Sequence, residues 1–190
     1  MLTNGNAKMT YNWGGLQVAQ YKDKDTTPLF PLLEQEFSNW APTKIYSYMD
    51  LVTTKASDSD TGGVLVAQNE ALYYVGLVVY TLQQIKSEHF NCFADSGKKG
   101  EVLNEVYDIL VVENIIASSI ILQRQVFMAL VEATINIAKH LSCDYVELPK
   151  LDDESFQFVR KKYSSQIEDS NGFRSYIDLH SSSKNPNPLG

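Results

Sequence analysis

Two extended patterns on either side of a long helical pattern restrict the fold of this chain more than any other feature. Val106–Ala117 is a run of β-branched and aromatic residues that predicts a long strand. Ile120–Leu141 repeats apolar residues at helical spacing and predicts a long, mostly buried helix, and Ser142–Leu148 predicts another strand. A strand, a helix and a strand of these lengths favour a right-handed crossover between parallel strands.

Shorter patterns supply the remaining elements. A hairpin is predicted where two β-rich runs flank a polar turn, and helical spacing predicts three short helices. The predicted fold is therefore α/β of the α+β type, with a mixed, mostly antiparallel, twisted sheet and helices on both faces. In chain order, these additional elements are a strand at Leu16–Tyr21, helices at Leu29–Phe37 and from Thr43, a hairpin from Gly63 to Ile85, a helix at Glu154–Tyr163 and a strand at 172–179.

Length and composition predict one domain over residues 1–180. The chain has 190 residues, of which 44% are hydrophobic, and this is enough to fill a sizeable core. Residues 181–190 are rich in Ser, Asn and Pro without a packing pattern, so a flexible C-terminal tail is predicted there. The net charge of -7 and the scattered basic residues argue against nucleic acid as a partner.

The cysteines and the amino-terminal segment bear on the cellular compartment. Only Cys92 and Cys143 occur, so no disulfide framework is predicted and a reducing compartment is favoured. The chain has no secretory leader pattern and no run of about 18 apolar residues. We expect a cytoplasmic protein that does not enter a membrane. The pairs His89 with Cys92 and His140 with Cys143 could together offer four zinc ligands, but the second pair straddles a predicted helix end, so no metal site is predicted.

The order of the predicted elements resembles that of the GNAT superfamily of N-acetyltransferases, over Leu16–Leu179. The closest local similarity is the segment "ATINIAKHLSCDYVEL", which resembles the helix-to-strand signature of the family. Ala138 takes the place of the alanine late in the helix, Cys143 opens the strand, and Val146 and Leu148 form its apolar ending.

The resemblance implies acetyl-coenzyme A as the cofactor, with its pyrophosphate at the amino end of the long helix. In the family the turn there reads Q/R-x-x-G-x-G/A. Counting back from Ala138 puts the two glycine positions at Gln125 and Phe127 and the leading position at Leu122, so the signature glycines are absent. Backbone N–H groups and the helix dipole do not require glycine, and the predicted cofactor-binding residues are Gln123, Arg124, Gln125, Val126 and Phe127.

Two alternatives stay open at this helix end. The polar side chains could simply solvate an exposed terminus, and Ser118 or Ser119 could be a plain N-cap that satisfies the same donors. Against these alternatives, the adjoining sequence contains no Asp or Glu to neutralise the positive end of the helix.

Glu113 and Tyr163 are the predicted catalytic residues. Glu113 shares a strand face with Val111 and Ile115, where partial desolvation would make its carboxylate a useful general base. Tyr163 follows the last helix, where the family often has a tyrosine near the thiol. The alternatives are an ordinary surface glutamate and ordinary aromatic packing.

The resemblance thus implies a GNAT-like N-acyltransferase that moves an acetyl group from acetyl-coenzyme A to an unidentified amine on a small molecule or a protein. The alternative is a catalytically inactive GNAT-fold binding or scaffold protein that has lost coenzyme A binding, which could form a homodimer through its sheet edges. The missing glycines favour this alternative, and the retained framework around them favours the enzyme.

Overall fold

A computed structural model describes residues 10–57, 61–86, 106–119, 123–163, 167–170 and 174–180, and these form eight strands and four α-helices. A short 3-10 turn, Thr27–Leu29, leads into the first helix. The elements are β1 (Thr10–Trp13), β2 (Leu16–Gln20), α1 (Phe30–Glu36), α2 (Pro42–Ser57), β3 (Gly62–Gln68), β4 (Tyr74–Lys86), β5 (Val106–Ala117), α3 (Gln123–His140), β6 (Tyr145–Leu148), α4 (Asp153–Lys162), β7 (Ile167–Ser170) and β8 (Arg174–Asp178).

All eight strands join one sheet in the order β1-β2-β3-β4-β5-β6-β8-β7. The β1–β2, β2–β3, β6–β8 and β7–β8 pairs are antiparallel, whereas β5 and β6 are parallel. The mixed, mostly antiparallel sheet and the crossover through α3 are confirmed. The parallel pairing ends at Val111, opposite Glu147, while β5 continues to Ala117.

The chain divides into two compact units that both draw on β4, β5 and α3. The first unit comprises Met1–Val79 and Ile115–Ala133. Its core gathers apolar side chains from the strands and from the first two helices, among them Leu29, Leu33, Val52, Val66 and Leu77.

The second unit comprises Tyr80–Asn114 and Thr134–Gly190. It contains a smaller cluster in which Ile109, Val111 and Tyr145 are buried. Tyr107 meets Tyr145 edge to face, with ring centroids 5.5 Å apart, and such pairs add to the stability gained from burial.

Gly76 on β4 allows α3 to approach the sheet closely. A Cβ atom at this position would lie 2.5 Å from Val126 Cγ1, 2.9 Å from Leu130 Cδ1 and 3.0 Å from the Ile116 carbonyl oxygen. Val126 and Leu130 are themselves fully buried. The amino-terminal half of α3 therefore packs against a glycine near the start of β4, and a larger residue there would push the helix away.

The structure differs from the sequence-based prediction in three places. Strands β1 and β7 were not predicted, because their four residues each carry too short an apolar alternation to stand out. The strand predicted from Ser142 begins at Tyr145, because Ser142 adopts a left-handed backbone conformation with φ of 59° that no strand accommodates.

Two predictions concern the domain and the tail of the chain. The single domain over residues 1–180 stays a prediction, and the predicted tail, 181–190, lies outside the described residues. None of the helices in the described part of the chain is long and apolar enough to cross a membrane.

Candidate functional site

The amino end of α3 presents a polar first turn on a buried helix. Gln123, Arg124 and Gln125 are exposed, whereas Val126 is buried and Phe127 is half-buried. No acidic residue lies in this first turn. Of the five predicted cofactor-binding residues, three can offer their side chains to a ligand, and Val126 can offer only its backbone N–H.

The turn at Ser118–Ser119, after β5, is held by α1. The Ser118 backbone N–H donates to the Val75 carbonyl oxygen at 2.8 Å, and Gln35 Nε2 donates to Ser118 Oγ at 3.1 Å. The Ser119 backbone N–H and Oγ both donate to Glu36 Oε1, at 2.8 Å and 3.1 Å. The alternative that Ser118 or Ser119 is the N-cap stays a prediction, because residues 120–122, which link both serines to α3, lie outside the described residues.

Glu36 adds a carboxylate from a distant part of the chain. The adjoining sequence lacks one, but the fold brings Glu36 to Ser119 from 83 residues away. Nothing in the local sequence could have shown this contact, because it depends on how α1 returns over the sheet. A carboxylate of the protein itself therefore lies at Ser119, four positions before the first described residue of α3.

Glu113 lies on β5 in the second unit and is exposed, so the predicted partial desolvation is wrong. Its Oε1 accepts a hydrogen bond from Thr81 Oγ1 at 3.0 Å, and Gln83 Nε2 donates to the same threonine oxygen at 3.3 Å. These contacts orient the carboxylate while leaving it open to solvent. Its role as a base stays a prediction.

A second carboxylate on the sheet of this unit was missed. Glu147 is only 5% exposed, and its neighbours in register are Val111 on β5 and Tyr176 on β8. Burying a carboxylate is costly, so such a residue usually has a structural or chemical task. The signal was present in the sequence: Glu147 lies in the short, otherwise apolar and aromatic segment Tyr145–Leu148 and shares a strand face with Tyr145.

Tyr163 ends α4, as predicted. Its backbone N–H donates to the Val159 carbonyl oxygen at 2.9 Å, and its side chain is half-buried beside Lys162, whose Nζ lies 6.0 Å from the ring centroid. Tyr163 and Glu113 both belong to the second unit, whereas Gln123–Phe127 belong to the first.

The structure describes only one of the two His–Cys pairs that could offer zinc ligands. His89 and Cys92 lie outside the described residues. His140 is exposed at the end of α3, while Cys143 is buried. Burial, together with the nearby carboxylates Asp108 and Asp144, raises the pKa of the Cys143 thiol to about 11, so this sulfur stays protonated at neutral pH.

Comparison with known proteins shows which solved structures share this fold. No protein-family model and no curated protein matches the sequence. The structure is similar to that of the NatC complex bound to Gag peptide and CoA, with 12% identity, 86% of this chain and 98% of that chain covered, and a TM-score of 0.55. It is also similar to a GCN5-related N-acetyltransferase from Kribbella flavida, with 8% identity, 76% of this chain and 32% of that chain covered, and a TM-score of 0.55. The chain has the GNAT fold.

Another structure with high coverage is AtaT complexed with acetyl-methionyl-tRNAfMet, at 7% identity and a TM-score of 0.58, with 88% of this chain and 96% of that chain covered. The chain spans about a third of the length of the Kribbella flavida protein. Proteins with the GNAT fold have thus been solved with a peptide and with an acylated tRNA, and the fold does not by itself name an acceptor. The expectation that nucleic acid is no partner stays a prediction.

Proposed function

We propose that this chain is an N-acyltransferase that binds the pyrophosphate of acetyl-coenzyme A at the amino end of α3. One observation carries the proposal: the first turn of an 18-residue helix in a GNAT fold is exposed, polar and free of acidic residues. Such a terminus presents unsatisfied N–H donors and about half a positive charge. Both favour a phosphate ligand.

The residues of this turn fit a pyrophosphate in charge and in hydrogen-bonding type. The Arg124 guanidinium can bind two phosphate oxygens at once, and the Gln123 and Gln125 side-chain amides add further donors. Because residues 125 and 127 are not glycine, the backbone cannot approach the phosphates as closely as in the family pattern. We therefore assign a larger share of the binding to side chains, above all to Arg124.

Acetyl-coenzyme A would supply the acetyl group as a thioester. During transfer a carbon–nitrogen bond forms and the carbon–sulfur bond breaks. We assign Glu113 as the base that takes the proton lost by the acceptor amine, and Tyr163 as the donor of a proton to the departing sulfur. Thr81 supports the first assignment, since its hydroxyl fixes one oxygen of Glu113. The acceptor is an amine of a small molecule or of a protein, and a cytoplasmic location and a homodimer remain part of the proposal.

The second candidate is a binding or scaffold protein that no longer takes coenzyme A. A specific observation favours it besides the missing glycines: the Glu36 carboxylate already accepts two hydrogen bonds from Ser119, in the turn that leads to α3. The two candidates differ in whether an external anion can also bind at this helix end.

A combined binding and turnover measurement tests the proposal. Acetyl-coenzyme A at 100 times its Kd should raise the unfolding free energy by about 2.7 kcal/mol. In a transfer assay with a panel of amines and peptides, Glu113→Gln should lower turnover about 100-fold with little change in stability. Glu34→Gln, which removes an exposed carboxylate of α1, is the matched control. Wild-type turnover in Glu113→Gln would remove this residue from the reaction, and no stabilisation by the ligand would favour the scaffold.

A further inference from the structure

The Glu36 carboxylate has an unusual position for a helix-terminal glutamate. A single oxygen, Oε1, accepts from the Ser119 backbone N–H at 2.8 Å, from Ser119 Oγ at 3.1 Å and from Gln35 Nε2 at 2.9 Å. Gln35 also donates to Ser118 Oγ, so the last two residues of α1 together hold the turn. Three donors on one oxygen fix the position of this negative charge.

The residue that binds this charge, Ser119, precedes the proposed phosphate site by a few positions in the chain. Ser119 precedes Gln123, the first residue of α3, by four positions, so their Cα atoms lie within about 14 Å of each other. At low ionic strength this is well inside the distance over which charges interact, which is about 30 Å at 0.01 M salt. At low salt, a carboxylate held there repels a pyrophosphate bound at the helix end.

We infer that Glu36 is a built-in anionic competitor at the entrance of α3, which lowers the affinity of this site for the phosphates of a coenzyme A thioester. This inference rests on the proposed function. Glu36 has two effects that oppose each other: its hydrogen bonds shape the turn, and its charge weakens the binding of an external anion. The affinity of the site is therefore set by a residue of α1 as well as by the first turn of α3.

Glu36→Gln separates these two effects. The Gln amide oxygen can accept the same hydrogen bonds from Ser119, so the turn keeps its shape, but the negative charge is gone. Glu34→Gln removes an equal charge from an exposed position of the same helix and is the matched control. Glu36→Asp keeps the charge and shortens the side chain, so it reports whether a loss of packing alone changes binding.

Calorimetric titration of acetyl-coenzyme A into the full chain tests the inference, at about 0.01 M and about 0.5 M salt. At low salt, Glu36→Gln should bind about threefold more tightly than wild type, Glu36→Asp should stay within about twofold of it, and the exposed Glu34→Gln should gain less than Glu36→Gln. The gain should disappear at high salt. Thermal melts of each variant confirm that it is folded.

The outcomes distinguish this inference from the proposed function. Equal binding by wild type and Glu36→Gln would overturn the competitor role and leave the proposed function standing. A gain that persists at high salt, or that also occurs in Glu36→Asp, would overturn it as well, because charge would not be its cause. If no variant binds acetyl-coenzyme A, the proposed function falls and the competitor role falls with it.

Discussion

The two ends of α3 are completed in different ways. At the carboxyl end, the Ser142 N–H donates to the Lys139 carbonyl oxygen at 3.1 Å and the Cys143 N–H donates to that of Ala138 at 2.9 Å. With Ser142 in the left-handed conformation, these two bonds form a Schellman cap. At the amino end, side chains of α1, brought from far along the chain, hold the preceding turn.

The difference separates a structural helix end from a candidate binding end. The carboxyl end satisfies its carbonyl groups within a few residues of the backbone and needs no ligand. The amino end exposes Gln123, Arg124 and Gln125, its first turn contains no acidic residue, and the Glu36 carboxylate of another helix contacts Ser119 ahead of it. We therefore expect substitutions at the carboxyl end to change stability alone, and those at the amino end to change ligand binding.

The largest expected effect concerns Gly76, against which the amino-terminal half of α3 packs. Gly76→Val should lower the free energy of unfolding by about 3 kcal/mol or more, because the new side chain would overlap Val126, Leu130 and the Ile116 backbone. Urea unfolding of the variant measures this. Adding Val126→Ala should restore part of the loss, since Val126 makes the closest contact. A cost below about 0.5 kcal/mol would mean that α3 does not lie so close to β4.

At the carboxyl end, Cys143 should make stability depend on alkaline pH. Its pKa is about 11 in the folded protein against 9.0 for an ordinary thiol, so the unfolded chain loses this proton first as the pH rises. The contribution is complete below pH 9 and is lost between pH 9 and 11, by about 1–3 kcal/mol. The free energy of unfolding is measured across this pH range for Cys92→Ser and for the double variant Cys92→Ser/Cys143→Ala. The difference isolates the contribution of Cys143, since other groups titrate equally in both. Identical pH profiles would contradict the burial of this thiol.

The smallest expected effect is a gain in stability at the same end. Ser142→Gly should raise the free energy of unfolding by about 0.5–1 kcal/mol, because glycine adopts the left-handed conformation without steric cost. Ser142→Ala provides the comparison and should bring no gain. Thermal melts of both variants, with acetyl-coenzyme A binding measured alongside, would sharpen the contrast: binding should not change in either.

The sequence was sufficient for the longest elements, which depend on local patterns. The long strand Val106–Ala117 was predicted with its observed bounds, and the crossover into β6 followed from strand and helix lengths. The amphipathic stripe of α3 likewise comes from spacing alone.

Features that depend on distant residues could not be predicted. The contact of Glu36 with Ser119 requires the path of α1 over the sheet, and the exposure of Glu113 requires knowing what covers β5 beyond Val111. Gly76 could have been recognised as a position where another element approaches the strand closely, because glycine is rare inside β-rich runs. Its partners on α3 could not have been named.

The binding of acetyl-coenzyme A to wild type and to Arg124→Ala tests the central claim most directly. Calorimetric titration should show binding by wild type, weakened by about 1.5–3 kcal/mol in Arg124→Ala, as expected when a charge-assisted hydrogen bond to phosphate is lost. Arg160→Ala, an exposed arginine of α4, should bind as wild type does. No heat from wild type at millimolar ligand, or equal affinity in Arg124→Ala and wild type, would contradict the assignment of the amino end of α3 as a phosphate site.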